Sequence, residues 1–181
     1  MLRKHVMNKR IAIYPGSFDP FTNGHLDILR RALLIFESVI VAVNNGGAKH
    51  CLLDLDERVA LIRSAVPHLK RVRVEKFSGL LVEYAAQKKA SAIIRGLRAV
   101  SDFEYEFQLA LMNRKLARQE HFETVYLMPD EKYTYLSSSL VKEVARLGGD
   151  IRAFVPRNIE KKLTAVFRPA SKPYSVKCEP F

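Results

Sequence analysis

Five short runs of mainly apolar residues recur along the chain, and a segment with helical spacing follows each of them. A strand that is covered by helices on both faces of a sheet is apolar at consecutive positions, so this pattern indicates buried parallel strands. The predicted strands span residues 11–14, 38–44, 71–77, 91–96 and 123–128.

The helical segments carry start and stop signals. Asp54 with Glu57, and Ser101 with Glu104, have the spacing of capping boxes, which predicts helix starts at these positions. A Gly-Gly pair at 148–149 is typical of a helix end. The predicted helices cover residues 24–36, 55–66, 79–89, 101 to about 118 and 137–149, and residues 157–167 have the composition of one more.

This alternation predicts an α/β fold, because consecutive parallel strands need a crossover between them. We expect a single Rossmann-like domain with a doubly wound five-stranded parallel sheet over residues 10–165. Residues 1–9 are then a basic N-terminal extension, and residues 166–181 a loose C-terminal tail. Ligands of such sheets bind beyond the carboxyl ends of the strands, so the residues just after strands one, two, four and five are the functional candidates.

The charge of the chain is concentrated at its two ends. The formal net charge is +11, of which residues 1–10 carry +4 and residues 157–181 another +4. Residues 11–156 hold 20 basic and 17 acidic side chains. This near-neutral centre argues against nucleic-acid binding, although a protein that binds DNA or RNA through its basic tails is an alternative.

Cysteine content and hydropathy favour a protein of the reducing cytoplasm. Cys51 and Cys178 lie far apart, which predicts neither a disulfide framework nor a cysteine metal site. No apolar run approaches the roughly 18 residues that cross a bilayer. No apolar segment follows the basic N-terminus as it does in a secretory signal.

The turn after the first strand combines glycine with polar donors. Gly16 and Ser17 end the apolar run, and His25 lies in the first turn of the next helix. There its imidazole and the free backbone amides can face one anion. An ordinary turn with a helix cap and an incidental histidine explains these residues about equally well.

Cations follow the second and fourth strands. Lys49 lies in a glycine-rich loop, where most lysines are simply solvated. Arg95 and Arg98 follow strand four, and an arginine that ends an apolar strand needs an anionic partner. Phosphate suits a guanidinium because it accepts two parallel hydrogen bonds. An ion pair within the chain would serve equally, and the candidate partners are Asp102, Glu104 and Glu106.

Three serines at 137–139 begin the helix after strand five. One serine suffices as a cap, whereas three hydroxyls beside free amides suggest a phosphate cradle. The strand ends would thus gather His25, Lys49, Arg95, Arg98 and these serines around one ligand. No Cys-His pair or Ser-His-Asp set indicates covalent catalysis. The combination therefore predicts phosphoryl or nucleotidyl transfer, in which positioning and charge stabilisation lower the barrier.

Three motifs carry a resemblance to a known family. They are "YPGSFDPFTNGH" (14–25), "IRGLRAVSDFEYEFQLALMNR" (94–114) and "YLSSSLVKEVA" (135–145). Together they resemble bacterial phosphopantetheine adenylyltransferases of the nucleotidyltransferase superfamily, in order through residues 10–156. The T-x-G-H turn is typical of the whole superfamily. The block "RGLRAVSDFEYE" is more specific and separates the chain from nicotinate-mononucleotide and glycerol-phosphate relatives.

The resemblance implies transfer of the adenylyl group of ATP to 4′-phosphopantetheine, giving dephospho-CoA and pyrophosphate in coenzyme A biosynthesis. It implies direct in-line attack of the substrate phosphate on the α-phosphorus, without a covalent enzyme intermediate. Mg²⁺ would be bound through the ATP phosphates rather than by the protein. The family is a cytoplasmic homohexamer that is inhibited by CoA.

The resemblance also implies roles for particular residues. The catalytic residues would be His25, Lys49 and Arg98. Those implied in ATP binding are Ser17, Phe18, His25, Gly96, Leu97, Arg98, Glu106, Tyr133, Thr134, Tyr135, Leu136, Ser137, Ser138 and Ser139. Those implied in holding phosphopantetheine are Ser17, Lys49, Leu81 and Arg95.

The chain departs from the family pattern at the loop "NNGGAKHCLL" (44–53). Many members have a second basic residue and a proline after the lysine, whereas His50 and Cys51 follow Lys49 in this chain. Cys51 in this loop is interpreted as a packed bystander, with a reactive thiol as the alternative.

Two further alternatives concern the reaction. A sister adenylyl- or cytidylyltransferase would use another phosphate acceptor, and Arg95, Leu81 and the block "LRAVSDFEYE" argue against it. The second is a catalytically inactive regulator that only binds nucleotide, and the intact set of His25, Lys49 and Arg98 argues against it.

Overall fold

The computed structural model describes residues 10–45, 51–98, 100–117 and 122–167, with residues 100–102 described by their backbone alone. Its strands are β1 (Ile11–Gly16), β2 (Ser38–Val43), β3 (Val72–Lys76), β4 (Ala92–Gly96) and β5 (Glu123–Leu127). All neighbouring strands run parallel, and their order in the sheet is β3-β2-β1-β4-β5. The predicted five-stranded parallel sheet is confirmed.

Six helices accompany these strands in the described residues. They are α1 (Asn23–Ile35), α2 (Leu55–Ala65), α3 (Leu81–Gln87), α4 (Val100–Leu116), α5 (Ser138–Arg146) and α6 (Arg157–Phe167), and a short 3-10 helix spans Glu131–Tyr133. The structure therefore contains the helix suggested over 157–167. It takes up the first two residues of the predicted tail, and the rest of that tail lies outside the described residues.

The two predicted capping boxes have different outcomes. Glu57 donates its backbone N–H to the Asp54 carboxylate at 2.7 Å, and the Asp54 N–H is donated to the Glu57 carboxylate at 3.4 Å, so this box is confirmed. The second prediction is wrong. The helix α4 begins at Val100, which places Ser101 inside the first turn rather than at the cap.

Helix ends follow the glycines. The predicted start of α3 at residue 79 is two residues early, because Gly79 has a φ of 82° and cannot begin a right-handed helix. At the end of α5, Gly148 has a φ of 77°, and Gly149 donates its N–H to the carbonyl of Val144 at 2.9 Å. The predicted Gly-Gly stop is confirmed.

Apolar residues cover both faces of the sheet, as the continuous apolar runs predict. Along β1, Ala12 and Tyr14 pack with α1, α2, α5 and α6 on one face, and Ile13 packs with α3 on the other. The strand β2 is buried from Val39 to Val43. The sheet is therefore rigid and dry in its middle, and variable chemistry is left to its ends.

The helix α4 is the exception to this burial. Six of its large apolar side chains are exposed by 46% to 64% of their surface: Phe103, Tyr105, Phe107, Leu111, Met112 and Leu116. In the part of the chain that the structure describes, no helix is long and apolar enough to cross a membrane. The predicted domain bounds and the basic extension at 1–9 stay predictions, and residues 1–9 lie outside the described range.

Candidate functional site

An open cavity of about 780 Å³ lies at the carboxyl ends of the strands. Residues at or just beyond all five strand ends line it, namely Gly16, Asn44, Phe77, Gly96 and Pro129. The chain proceeds from β1 to β2 and β3 on one side, and then crosses to β4 on the other. The cavity therefore occupies the switch point at which parallel sheets bind ligands.

Phe18 turns the chain at the mouth of β1. Its φ of 50° lies in the left-handed region, which is uncommon for a residue other than glycine. Its ring centroid lies 5.3 Å from that of Tyr14 and 5.1 Å from that of His25. A Cβ atom on Gly16 would lie 2.9 Å from Cζ of Phe18. Gly16 is therefore required by the Phe18 ring itself, whether or not a ligand approaches the backbone.

The imidazole of His25 is held in one orientation by the start of α1. Its Nδ1 accepts the backbone N–H of Thr22 at 3.0 Å, and the Thr22 hydroxyl lies 3.1 Å from the same nitrogen. That hydroxyl accepts the His25 N–H at 3.3 Å, which completes a capping box with histidine in the glutamate position. Since Nδ1 is an acceptor, the neutral ring carries its proton on Nε2.

Electrostatics keep this ring neutral. Burial, with a smaller contribution from the Arg98 charge, lowers the pKa of His25 to about 4. At neutral pH the ring is therefore a hydrogen-bond donor through Nε2 and not a cation. The alternative explanation from the sequence was a histidine without a role in ligand binding. Such a histidine would need neither the fixed ring orientation nor a position in the cavity wall.

Asp19 is buried beside the cavity and binds donors from two other segments. It accepts the Lys142 ammonium at 2.7 Å and the backbone N–H groups of Leu52 and Leu53 at 2.9 and 3.0 Å. Burial disfavours the carboxylate, but these donors outweigh burial and hold the pKa of Asp19 below its ordinary value. Asp19 is thus ionised and fully engaged at neutral pH.

Arg58, on α2, is 2% exposed, and its guanidinium donates to four backbone carbonyl oxygens. Its Nη1 donates to the carbonyls of Ser17 at 2.5 Å and Asn44 at 2.6 Å. Its Nε donates to the carbonyls of Leu53 at 3.0 Å and Asp54 at 3.3 Å. One buried guanidinium therefore joins the loops that follow β1 and β2.

Arg95 is paired with Glu106 across the end of β4. Its Nε lies 2.6 Å from one Glu106 oxygen, and its Nη2 contacts the other. Burial disfavours the guanidinium charge, but the bonds and charge of Glu106 outweigh burial and raise the pKa of Arg95. The ion pair that the sequence offered as an alternative to phosphate is present, and both partners line the cavity.

Arg98 and the serines surround the start of α5. Arg98 donates to the Leu136 carbonyl at 3.1 Å. The Ser137 hydroxyl caps α5 by accepting the Leu140 N–H at 3.1 Å, and the Ser138 hydroxyl donates to the Pro20 carbonyl at 2.8 Å. All three serines line the cavity, but two of them also hold the local structure. The phosphate cradle stays a prediction.

Tyr14 is a polar residue of the cavity that the sequence analysis missed. It is 4% exposed and lines the cavity, and its hydroxyl has no hydrogen bond to any residue that the structure describes. Burial raises its pKa, while the charges of Arg95 and Arg98 oppose that rise. A neutral hydroxyl close to two guanidinium groups is suited to meet an anionic ligand.

Most of the predicted site residues line the cavity. These are Ser17, Phe18, His25, Leu81, Arg95, Gly96, Arg98, Glu106, Tyr133, Leu136, Ser137, Ser138 and Ser139. Leu97, Thr134 and Tyr135 are not part of its wall, and Tyr135 is 88% exposed. The predicted site residue Lys49 lies outside the described residues.

Sequence reasoning also passed over Asp19, Arg58 and Lys142. Asp19 stands inside the first motif, but the sequence analysis assigned it no role. Lys142 follows the serines at helical spacing, which was a usable signal, because residues one turn apart share a helix face. Arg58 had no signal, since an arginine on an amphipathic helix is usually solvated.

Comparison with known proteins adds the family. Residues 13–144 match the Cytidylyltransferase-like family. The phosphopantetheine adenylyltransferase of Syntrophotalea carbinolica is 54% identical over 166 residues, which cover 92% of this chain and 99% of that protein. The chain belongs to the phosphopantetheine adenylyltransferase family. The enzyme of that name from Solidesulfovibrio magneticus is 53% identical over 161 residues, covering 89% of this chain and 92% of that protein.

A solved structure has the same fold as this member of the phosphopantetheine adenylyltransferase family. A protein from Vibrio parahaemolyticus, assigned as a nicotinate-nucleotide adenylyltransferase, has a TM-score of 0.62 and 18% identity. The similarity covers 86% of this chain and 99% of that one, and it concerns the fold alone. The predicted Rossmann-like fold is confirmed by this similarity. The prediction of a nucleotidyltransferase is confirmed by the family and the relatives.

Proposed function

We propose that the chain transfers the adenylyl group of ATP to 4′-phosphopantetheine, giving dephospho-CoA and pyrophosphate in coenzyme A biosynthesis. The observation that carries this proposal is the donor set of the cavity, to which His25, Arg95 and Arg98 contribute. The two carboxylates among its described lining residues, Asp19 and Glu106, are each bound by a cation of the chain. Such a wall favours two phosphorylated ligands over neutral or cationic ones.

Catalysis in this proposal is charge stabilisation. An oxygen of the substrate phosphate attacks the α-phosphorus in line, pyrophosphate leaves, and no covalent enzyme intermediate forms. His25 donates its Nε2 proton in a hydrogen bond to the α-phosphate oxygens, where negative charge builds up. Because Thr22 already fixes the ring, little reorganisation is needed at the transition state. Lys49 and Arg98 neutralise the same charge.

The two substrates occupy different sides of the cavity in this proposal. ATP lies along Phe18, residues 96–98, Glu106 and the segment 133–139. Phosphopantetheine lies against Leu81 and Arg95, with Lys49 nearby, and Ser17 contacts both ligands. Arg95 already holds a bidentate carboxylate in Glu106, which is the geometry that it would offer to a phosphate.

Mg²⁺ would enter with ATP and be held by its phosphate oxygens. Among the residues that the structure describes, no group of three or more His, Cys, Asp and Glu side chains is placed to hold a metal ion. The cation-bound state of Asp19 and Glu106 fits a metal carried by the substrate. Mg²⁺ would supply charge neutralisation of the triphosphate.

Assembly, regulation and location complete the proposal. A homohexamer would cover the exposed apolar side chains of α4, which an isolated chain leaves in water. CoA contains both a phosphopantetheine arm and an adenine nucleotide, so it fits the same cavity as a feedback inhibitor. The reaction would take place in the cytoplasm, where ATP is supplied.

A charge placed on α4 tests the assembly. Leu111→Lys should convert the wild-type hexamer to smaller species in sedimentation velocity, because it buries an unpaired charge in the interface. Leu147→Lys is the matched control, since Leu147 is exposed on another helix end. A monomeric wild-type protein, or equal sedimentation of both variants, would refute this interface.

Pyrophosphate release from ATP and Mg²⁺ tests the reaction itself. It should occur with 4′-phosphopantetheine and not with nicotinate mononucleotide, glycerol 3-phosphate or no acceptor. Release with another acceptor would keep the chemistry and change the specificity. No release from folded protein with any acceptor would favour a binding-only protein.

A further inference from the structure

The carboxylate of Asp19 joins three segments of the chain at the edge of the cavity. The segments are the turn between β1 and α1, the residues just before α2, and the first turns of α5. Its Oδ2 accepts both Lys142 Nζ and the Leu52 N–H, and its Oδ1 accepts the Leu53 N–H. A carboxylate with this many donors is a structural junction rather than a base or a metal ligand.

Two neighbouring hydrogen bonds also hold the turn between β1 and α1 in place. The Ser17 carbonyl accepts a hydrogen bond from Arg58, and the Pro20 carbonyl accepts one from the Ser138 hydroxyl. Both carbonyls would otherwise present partial negative charge near a phosphate. Fixing them with donors leaves Ser17 and His25 as the groups of this turn that meet an anion.

The turn also needs support because Phe18 adopts a positive φ. A residue other than glycine persists in that conformation only where the surrounding structure determines it. Phe18 lies between Ser17 and Asp19, so the bonds on each side of it hold the conformation. The two flanking anchors come from different helices, Arg58 on α2 and Lys142 on α5.

We propose that the Asp19–Lys142 ion pair is a positioning element of the reaction. Lys142 draws the start of α5 onto the turn, and thereby sets the distance between His25 and the serines of 137–139. Neither side chain needs to touch the reacting atoms. This inference rests on the proposed function, which the wild-type assay tests first and separately.

Lys142→Met keeps the aliphatic stem of the side chain and removes the ammonium. We expect kcat to fall by about 10- to 100-fold, since a displacement of roughly 1 Å between reacting groups has effects of that size. The KM for ATP should change less than threefold, because the lost contact is to Asp19 and not to the nucleotide. Lys142→Arg should recover most of the loss.

The control is Lys162→Met. Lys162 pairs with Glu57 and joins α6 to α2, and it is likewise partly buried, but it does not line the cavity. Its loss should lower the melting temperature and leave kcat unchanged. Calorimetric titration with a non-hydrolysable ATP analogue gives a readout of both variants that does not depend on turnover.

A double-mutant cycle with Asp19→Asn decides the interpretation. If the pair acts as a unit, Asp19→Asn with Lys142→Met should be no slower than the slower single variant. Multiplied losses, or a rise in the KM for ATP with kcat unchanged, would overturn the proposal and assign Lys142 to direct substrate contact. An unchanged kcat in Lys142→Met would overturn it as well.

Discussion

Two walls of the cavity are built by different physical means. The first wall comprises residues 17–25, 51–58 and 137–142, and buried groups of this chain bond it together. The second wall comprises residues 95–98 and 103–107. The second wall is held by the ion pair between Arg95 and Glu106, and its helix, α4, exposes large apolar side chains to solvent. Phe103 and Phe107 stack on each other at 5.7 Å between ring centroids rather than in a core.

The geometry of the first wall is set within one copy of the chain, whereas a ligand or another copy can change the contacts of the second wall. Hydrogen bonds to backbone carbonyls and amides fix the first wall before any ligand binds, which suits stabilisation of a transition state. An ion pair can exchange its carboxylate for a phosphate, and an exposed apolar helix can pack against a neighbour. In the proposed reaction the first wall would serve catalysis, and the second would serve substrate selection and assembly.

The largest expected effect is in the first wall, at His25. His25→Ala removes the fixed donor and should lower kcat by about 10²- to 10³-fold, with only a modest loss of ATP affinity. Single-turnover rates and ATP titration measure the two quantities.

His25→Gln is the matched variant, because glutamine also fits the capping box and retains an N–H donor. It should lie between the wild type and His25→Ala. Equal turnover in His25→Ala and wild type would show that His25 has no role in catalysis and only caps the helix α1.

In the second wall, Arg95→Gln should raise the KM for 4′-phosphopantetheine by about 10- to 100-fold, the value of charged hydrogen bonds to a phosphate. The value of kcat should change less, since in the proposed reaction Arg95 would bind the acceptor in both the ground state and the transition state. Steady-state kinetics with each substrate varied in turn measures both.

Arg114→Gln serves as the control for Arg95. Arg114 also pairs with a glutamate, Glu123, but that pair is exposed and lies outside the cavity. If Arg95→Gln raised the KM for ATP and not for phosphopantetheine, the proposed positions of ATP and phosphopantetheine in the cavity would be wrong and would have to be exchanged.

Tyr14 connects the walls, and Tyr14→Phe removes a single oxygen while keeping the buried ring. We expect kcat/KM to fall about tenfold, the value of one hydrogen bond to a charged group. Tyr84→Phe is the comparison, because the Tyr84 hydroxyl bonds Glu75 outside the cavity wall and should affect stability alone. No difference between the two variants in kcat/KM would mean that the Tyr14 hydroxyl does not meet a substrate.

The smallest effect concerns pH. The pKa of His25 is about 4 in the folded chain against an ordinary value of 6.5, so the unfolded chain binds more protons between these values. Stability should therefore fall as pH is lowered from 6.5 to 4. Melting temperatures of His25→Gln should depend less steeply on pH over this window than those of the wild type. His68→Gln, which removes an exposed histidine, controls for the substitution. Equal slopes for wild type and His25→Gln would refute the lowered pKa.

Local pattern was enough for the elements of this fold. Apolar runs and helical spacing predicted all five strands, and the Asp54–Glu57 box and the Gly148 stop were read correctly. These signals are local, because they depend on residues within about one turn of each other. The same local reasoning was wrong at Ser101, where the helix begins one residue earlier.

Taken by itself, the sequence determined the alternation of strands and helices, the polar residues at the strand ends, and the motifs of the family. Only the tertiary structure decided what those polar residues bind. Lys142 reaches Asp19 across 123 positions of the chain, and Arg58 reaches the Ser17 carbonyl across 41. Contacts at such separations depend on how the helices pack on the sheet, so no spacing in the sequence encodes them. That packing gives Asp19 its donors, and it gives His25 a neutral ring with its proton on Nε2.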